Sequence, residues 1–189
     1  MKLNEILENI SFHSILTFKK NEQLKLLRIR NERVVRLNMF NNKIISYTDH
    51  FNWIDSLKTC LNKKFYIVQY NNKIIGGLGL KNINKITSSA EWAFYISKKS
   101  NFIGLAALLE YKAINYFFDN YKLKKLECYV MNHNSEVIKL HKKYGFLIQN
   151  NYINRNTSTK ISNNCVFMLL TLINWTKVKA IFNKKILKI

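Results

Sequence analysis

Two periods of apolar residues alternate along this chain, and their order predicts a mixed central sheet flanked by helices. Leu24, Leu26 and Leu27 give residues 22–30 helical spacing, Asn31 interrupts it, and Val34 to Met39 make a second short apolar face. Ser46 with Asp49 reads as a helix start, and Phe51, Ile54 and Leu57 then recur along one face. Strands are expected at 65–69 and 74–80, joined by a hairpin turn, and at 91–96. A helix over 105–118 follows, marked by Leu105, Leu108, Leu109, Lys112 and Tyr116. Further strands are expected at 125–130, 146–149 and 165–172, with an earlier one at 15–18. Between them Val137, Leu140 and Tyr144 form one helix face, which Gly145 ends because glycine accepts a left-handed backbone. The asparagine-rich stretch 150–164 is expected as a loop at the mouth of a site. The expected organisation is one domain over 1–173. Residues 174–189 then form a basic amphipathic helix or tail through Val178, Ile181, Phe182, Ile186 and Leu187, which docks on the domain or touches a membrane surface.

Composition narrows the class. At 189 residues the chain can bury one sizeable core. No run of about eighteen apolar residues occurs, so no membrane span is expected, and the acidic, interrupted start does not read as a signal peptide. Cys60, Cys128 and Cys165 lie far apart without metal-ligand spacing, which fits small core hydrophobes in a reducing cytoplasm and no metal cofactor. The formal charge of +20 suggests nucleic acid, but lysine dominates it and is spread along the chain, with no proline and abundant asparagine and isoleucine. That is compositional drift more than a clustered recognition surface, and no nucleic-acid partner is expected. A basic surface still favours an anionic co-substrate or nucleotide sugar.

Candidate chemistry gathers in two stretches. SKKSNFIGLAALL joins the strand at 91–96 to the helix from Leu105. Such a glycine-bearing turn presents backbone N–H groups and the positive end of a helix dipole, which suit a pyrophosphate. VMNHNSEVIKLHKKYGF sets Val130, Asn134, Val137, Leu140, His141, Gly145 and Phe146 in strand–turn–helix–strand order. That spacing resembles the last motif of the GNAT superfamily of acyl-CoA-dependent acetyltransferases. Asn101-Phe-Ile-Gly104-Leu-Ala106 resembles the same superfamily's (Gln/Arg)-x-x-G-x-(Gly/Ala) diphosphate signature, with Asn101 departing from glutamine or arginine. The resemblance implies a GNAT-like α/β (α+β) fold and acetyl-CoA as co-substrate. It also implies cofactor-binding roles for Ile96, Ile103, Gly104, Leu105, Ala106, Asn134 and Lys143. Asn134 would meet the pantetheine arm while capping its helix, and Lys143 would meet a phosphate or simply solvent.

Acetyl transfer to an amine needs a deprotonated amine, a polarised thioester oxygen and a proton for the leaving thiolate. In the superfamily the proton donor is usually a tyrosine four residues before the glycine; here that residue is His141. A free imidazole titrates near about 6.5 and a phenol near about 10, so a histidine acid implies a more pH-sensitive rate. A packing role for His141, with Tyr144 as donor, is the alternative. Glu91 at a strand start and His50 in the first turn of a helix are the candidate bases. Tyr95 shares the strand face of Glu91, as an acceptor-pocket residue or a core aromatic.

The N-terminal half is more specific. Arg30-Asn31, Met39-Phe40 and Ile45-Ser46 through His50 to Trp53-Ile54 resemble the pseudaminic-acid pathway N-acetyltransferases, over roughly residues 24–173. This implies acetylation of the 4-amino group of UDP-4-amino-4,6-dideoxy-N-acetyl-β-L-altrosamine, toward the nonulosonic sugar that decorates flagellin. Arg30, His50, Lys81 and Tyr95 would then be substrate-binding, in a cytoplasmic monomer or homodimer. A protein N-terminal acetyltransferase of the ribosomal-protein type, and a non-catalytic acyl-CoA- or RNA-binding relative, are the alternatives.

Overall fold

The computed structural model of the protein describes residues 3–100, 102–149 and 165–186. Helix α1 (Leu3–Asn9) runs into strand β1 (Ile10–Ser14), and α2 (Lys20–Arg30), α3 (Arg33–Leu37) and α4 (Tyr47–Thr59) follow. Strands β2 (Lys64–Tyr70), β3 (Lys73–Asn84) and β4 (Ser89–Ile96) make an antiparallel meander, from which α5 (Leu105–Tyr121) leads to β5 (Lys125–Met131). Helix α6 (Ser135–Lys143), β6 (Leu147–Ile148), β7 (Cys165–Thr171) and α7 (Leu172–Ile186) complete the chain. The seven strands form one sheet in the order β1-β2-β3-β4-β5-β7-β6. Among the described ladders only β4–β5 is parallel.

Strand alternation sorts the side chains into two cores. In β2, Tyr66 and Val68 join the larger core while Ile67 between them joins the smaller. Helix α5 covers the larger core with Leu105, Leu108, Leu109, Ala113, Ile114 and Phe117, each 2% exposed or less. Their three- and four-residue spacing is one helical stripe. Each large apolar side chain buried this way contributes about 1.5–3 kcal/mol, so α5 is held along its whole length. Ile15, Leu26, Ile54 and Leu57 bring the N-terminal helices onto the smaller core. Ser46 caps α4, its Oγ accepting from the Asp49 amide at 3.0 Å.

Three expectations need correction. The first strand is Ile10–Ser14, paired from Ile10 with Tyr70 to Ser14 with Tyr66, while residues 15–17 turn out of the sheet. Ile15 drops, fully buried, into the smaller core from the short turn that Ser14 caps, which takes the chain off the β2 edge. Lys112 does not mark an apolar register. Its ammonium reaches the carbonyls of Leu7 (2.5 Å) and Ile10 and so pins the α1–β1 junction to α5. The last helix begins at Leu172, earlier than expected, and docks. Trp175 is 2% exposed and its Nε1 donates to Asn115 Oδ1 at 3.3 Å, while Phe182 stacks on Tyr111 with centroids 4.9 Å apart. Gly145 has φ +88°, and a Cβ there would stand 3.1 Å from Val178 Cγ2, so the end of α6 and the seat of α7 share that glycine. Stretch 150–164, Asn101, Leu187 and the Ile186 side chain lie outside the described residues. Among the described residues no helix is long and apolar enough to cross a membrane.

Candidate active site

The β4–β5 ladder is short. It pairs Ser89–Glu91 with Lys125–Glu127 and stops, although β4 continues beside β3 to Ile96 and β5 beside β7 to Met131. A cavity of about 320 Å³ opens at this parting, between residues 92–96 of β4 and 128–130 of β5. Val137, Leu140 and His141 of α6, with Val34 and Val35 of α3 and Asn38 to Phe40 just after it, close its other sides.

Its carboxylate wall follows from register. Lys81 opposes Glu91 across β3–β4, and Glu91 opposes Glu127 across β4–β5, so the three lie in a row on one face. Glu91 is 8% exposed; Lys81 Nζ reaches its Oε1 at 2.7 Å and Asn82 Nδ2 donates to its Oε2 at 3.1 Å. Burial, and then the Glu91 charge, raise the Glu127 carboxyl above its ordinary pKa. Cys128 also lines the cavity, but burial and the carboxylates Glu110, Glu91 and Glu127 push its thiol well up. It stays protonated and is no nucleophile.

His141 faces the cavity from α6 and is 4% exposed, with Trp92 at 5.5 Å and Phe146 at 5.0 Å between ring centroids. Its Nδ1 lies 2.7 Å from Oε1 of Glu110, a fully buried residue of α5. Burial raises the Glu110 carboxyl, with the facing imidazole pulling the other way. Tyr144 is withdrawn: its hydroxyl donates to the Ala107 carbonyl at 2.6 Å, it is 1% exposed, and burial holds its pKa up. Asn134 stands at the N-cap position of α6, but its side chain makes no capping bond and lines the cavity instead.

Gly104 precedes α5 at φ +91°, with nothing within 4 Å of where a Cβ would be. The Leu105 amide bonds the Phe102 carbonyl and the Leu108 amide bonds Gly104. Among the described residues the Ala106 and Ala107 amides have no acceptor, so two donors face outward at the positive end of a 17-residue helix. The residues present therefore fit a coenzyme A thioester: an anion seat at α5, a clear approach over Gly104, and a parted pair of strands beside it.

Of the expected site residues, the cavity gathers Lys81, Glu91, Tyr95, Ile96, Ala106, Asn134 and His141. Lys81 is committed to Glu91 instead of standing free for a diphosphate. Leu105 turns its side chain into the core, Ile103 is fully exposed, and Lys143 is exposed off the cavity wall. Arg30 lies behind the wall, its Nη2 donating to the Asn41 carbonyl at 2.9 Å and its charge felt by the Tyr95 phenol. His50 is 3% exposed and donates a ring N–H to the Gln23 carbonyl at 3.1 Å, between Phe51 and Trp53. It fastens α4 to α2 and does not line this cavity, because the first turn of α4 faces a neighbouring helix.

Glu110 and Trp92 were missed from the sequence. Glu110 carried a signal, an acid directly after Leu109 on the stripe that continues through Ala113 and Ile114.

Residues 8–164 match the acetyltransferase (GNAT) domain family. The chain belongs to this family. As a GNAT enzyme it is an acetyl-CoA-dependent N-acetyltransferase. It is 31% identical over 113 residues to Acetyltransferase PseH of Campylobacter jejuni, covering 59% of this chain and 69% of the relative. The crystal structure of Campylobacter jejuni N-acetyltransferase PseH in complex with acetyl coenzyme A superposes with a TM-score of 0.65. That pair is 20% identical, over 86% of this chain and 99% of that one. Spermidine N-acetyltransferase from Vibrio cholerae, solved with CoA and spermine, shares the GNAT fold at a TM-score of 0.76 and 17% identity, over 89% and 99% of the two chains.

Proposed function

We propose that this acetyltransferase acts on the 4-amino group of UDP-4-amino-4,6-dideoxy-N-acetyl-β-L-altrosamine, in pseudaminic acid biosynthesis for flagellin glycosylation. The reaction is cytoplasmic and direct, with both substrates bound at once. The observation that carries it is the cavity at the β4–β5 parting, with the Glu91 carboxylate and the His141 ring on its walls. The likeness to PseH and the N-terminal pattern from Arg30 to Ile54 support the acceptor. The net charge of +20 favours an anionic nucleotide sugar over a polyamine.

In this reading the Ala106 and Ala107 amides and the dipole of α5 hold the diphosphate of acetyl-CoA, reached over Gly104 between Ile103 and Leu105, with Lys143 nearby. Ile96 and Asn134 border the pantetheine arm where the strands part. Glu91 takes the amine proton directly or through a water, and Lys81 holds its carboxylate in place. Tyr95, Met39 and Phe40 line the acceptor side, with Arg30 behind Tyr95. A protonated Cys128 leaves no thiolate to carry the acetyl group, which favours direct transfer.

The test is acetyl-CoA-dependent thiol release with a panel of 4-amino nucleotide sugars, polyamines and N-terminal peptides. Turnover on the UDP-4-amino sugar above all others is the expected result. Turnover on peptides or polyamines alone would overturn the acceptor.

A further inference from the structure

We propose that Glu110 is a positioning residue for His141, holding Nδ1 so that Nε2 is turned to the cavity as proton donor to the leaving thiolate. This deepens, and rests on, the acetyl-transfer reading of the same cavity.

Glu110 is fully buried on the apolar stripe of α5, between Leu109 and Ala113. A carboxylate in such a place is costly unless a charge or a donor meets it. One oxygen meets His141 Nδ1 at 2.7 Å, and the other, Oε2, is buried without a partner. The hydrogen bond to His141 is thus the group's entire compensation among the described residues. Nδ1 is committed, while Nε2 has no hydrogen-bond partner among the described residues, and His141 borders the cavity. Trp92 and Phe146 lie against the ring, so its plane is fixed as well as one of its nitrogens.

The charges around the pair come from four elements. Glu91 with Lys81 lies on β4 and β3, Glu127 and the Cys128 thiol on β5, and the Tyr144 phenol at the C-cap of α6. Cys128 and Tyr144 both feel the Glu110 charge, and neither supplies a cation. The His141 ring is therefore the group that meets the Glu110 carboxyl, and with Nδ1 so engaged the proton an acid gives away is the one on Nε2.

The step balances as follows. The acceptor nitrogen forms its bond to the acetyl carbon, and the C–S bond breaks with its electron pair on sulfur. The Nε2 proton passes to that sulfur, and the surplus amine proton leaves through Glu91 to water. His141 is left neutral with Nδ1–H still donated to Glu110, and Nε2 takes a proton back from solvent. A carboxylate that fixes the tautomer and offsets the imidazolium charge without itself reacting is the role of the buried aspartate in a Ser-His-Asp triad.

The experiment joins kinetics with long-range 1H–15N NMR of the His141 ring. In the wild type the spectrum should show Nδ1 protonated, and Glu110→Gln should disturb that state. Glu110→Gln should lower kcat at least tenfold, leave KM for acetyl-CoA within twofold, and move the alkaline limb of the kcat profile to lower pH by about one unit. In a His141→Tyr background, where a phenol needs no tautomer fixed, the same change should cost at least fivefold less. An unprotonated Nδ1 in the wild type, an equal penalty in both backgrounds, or a loss confined to thermal stability would each overturn the pairing. Wild-type inactivity toward every amine would instead overturn the transfer reading, and the ring spectrum alone would then decide the pair.

Discussion

Two glycines with nearly the same backbone angle offer an internally controlled test of the coenzyme A seat. Gly104 has φ +91° with open space around its missing Cβ, and Gly145 has φ +88° with Val178 Cγ2 at 3.1 Å. An alanine at Gly104 meets no atom, so its stability cost is the backbone's alone, about 1–2 kcal/mol. For a chain of this length that lowers Tm by roughly 2–8 °C. Gly145→Ala carries the same backbone cost and also crowds α7, so its loss should be at least as large. Affinity for coenzyme A should reverse that order. With the diphosphate held at the Ala106 and Ala107 amides as proposed, the methyl of Gly104→Ala stands in its approach. Losing one hydrogen bond to a charged group costs about 1.5–3 kcal/mol, roughly ten- to a hundredfold in Kd. Gly145→Ala, on the far side of α6, should leave Kd within twofold. Isothermal titration with acetyl-CoA, run well below both melting temperatures, reads the difference. If both variants bind equally well, or both weaken in proportion to their lost stability, the N-terminus of α5 does not hold the diphosphate.

Further substitutions test other parts of the argument. Glu91→Gln keeps shape but removes the proposed base and should lower kcat about 10²–10⁴-fold with little change in acetyl-CoA affinity; a loss under tenfold would assign the base elsewhere. Trp175→Ala should cost about 3–5 kcal/mol in urea unfolding, because the indole belongs to the main core; a loss below about 1 kcal/mol would make α7 an appendage. His50 gives a pH prediction. Burial holds its ring below the ordinary pKa, while the unfolded chain takes up a proton below about 6.5. Its contribution is therefore present above that pH and is lost as pH falls, so His50→Gln should flatten the acid side of the stability curve between about pH 7 and 5. An unchanged slope would refute the buried, neutral assignment.

Periodicity located the elements because each buries a single stripe or face, and that demand is written locally. The helices expected at 22–30, from Ser46 through Leu57, and at 105–118, and the meander strands, all follow from it. The first strand escaped because Ile15 is as apolar as Ile10, and only the pairing with β2 decides which of them stays in the sheet. The candidate site was legible where one motif holds its parts, as with Gly104, Asn134 and His141. It was not legible where a partner arrives through the fold. Lys81 read as a free cation, but register sets it against Glu91. His50 read as a polar first-turn residue, but helix packing closes it against Gln23.

The His141 pair joins both cases. A histidine at the usual tyrosine position looks from the motif like a loss of function, since a lone buried imidazole is a poorly oriented acid. An acid in the apolar stripe of α5 looks, by itself, like a defect of packing. The fold sets the two 2.7 Å apart across 31 residues of sequence, and each then explains the other. Burial penalises the carboxylate and so strengthens its hold on Nδ1; that hold leaves Nε2 for the cavity; and a phenol in the same place would have left the carboxylate without that ring nitrogen. On this argument the two residues should change together. His141→Tyr alone strands a buried carboxyl and should destabilise the fold by about 3–5 kcal/mol, while His141→Tyr with Glu110→Leu should recover most of that loss in urea melts. Equal stability of the single and double variants would mean the pair is incidental to the core.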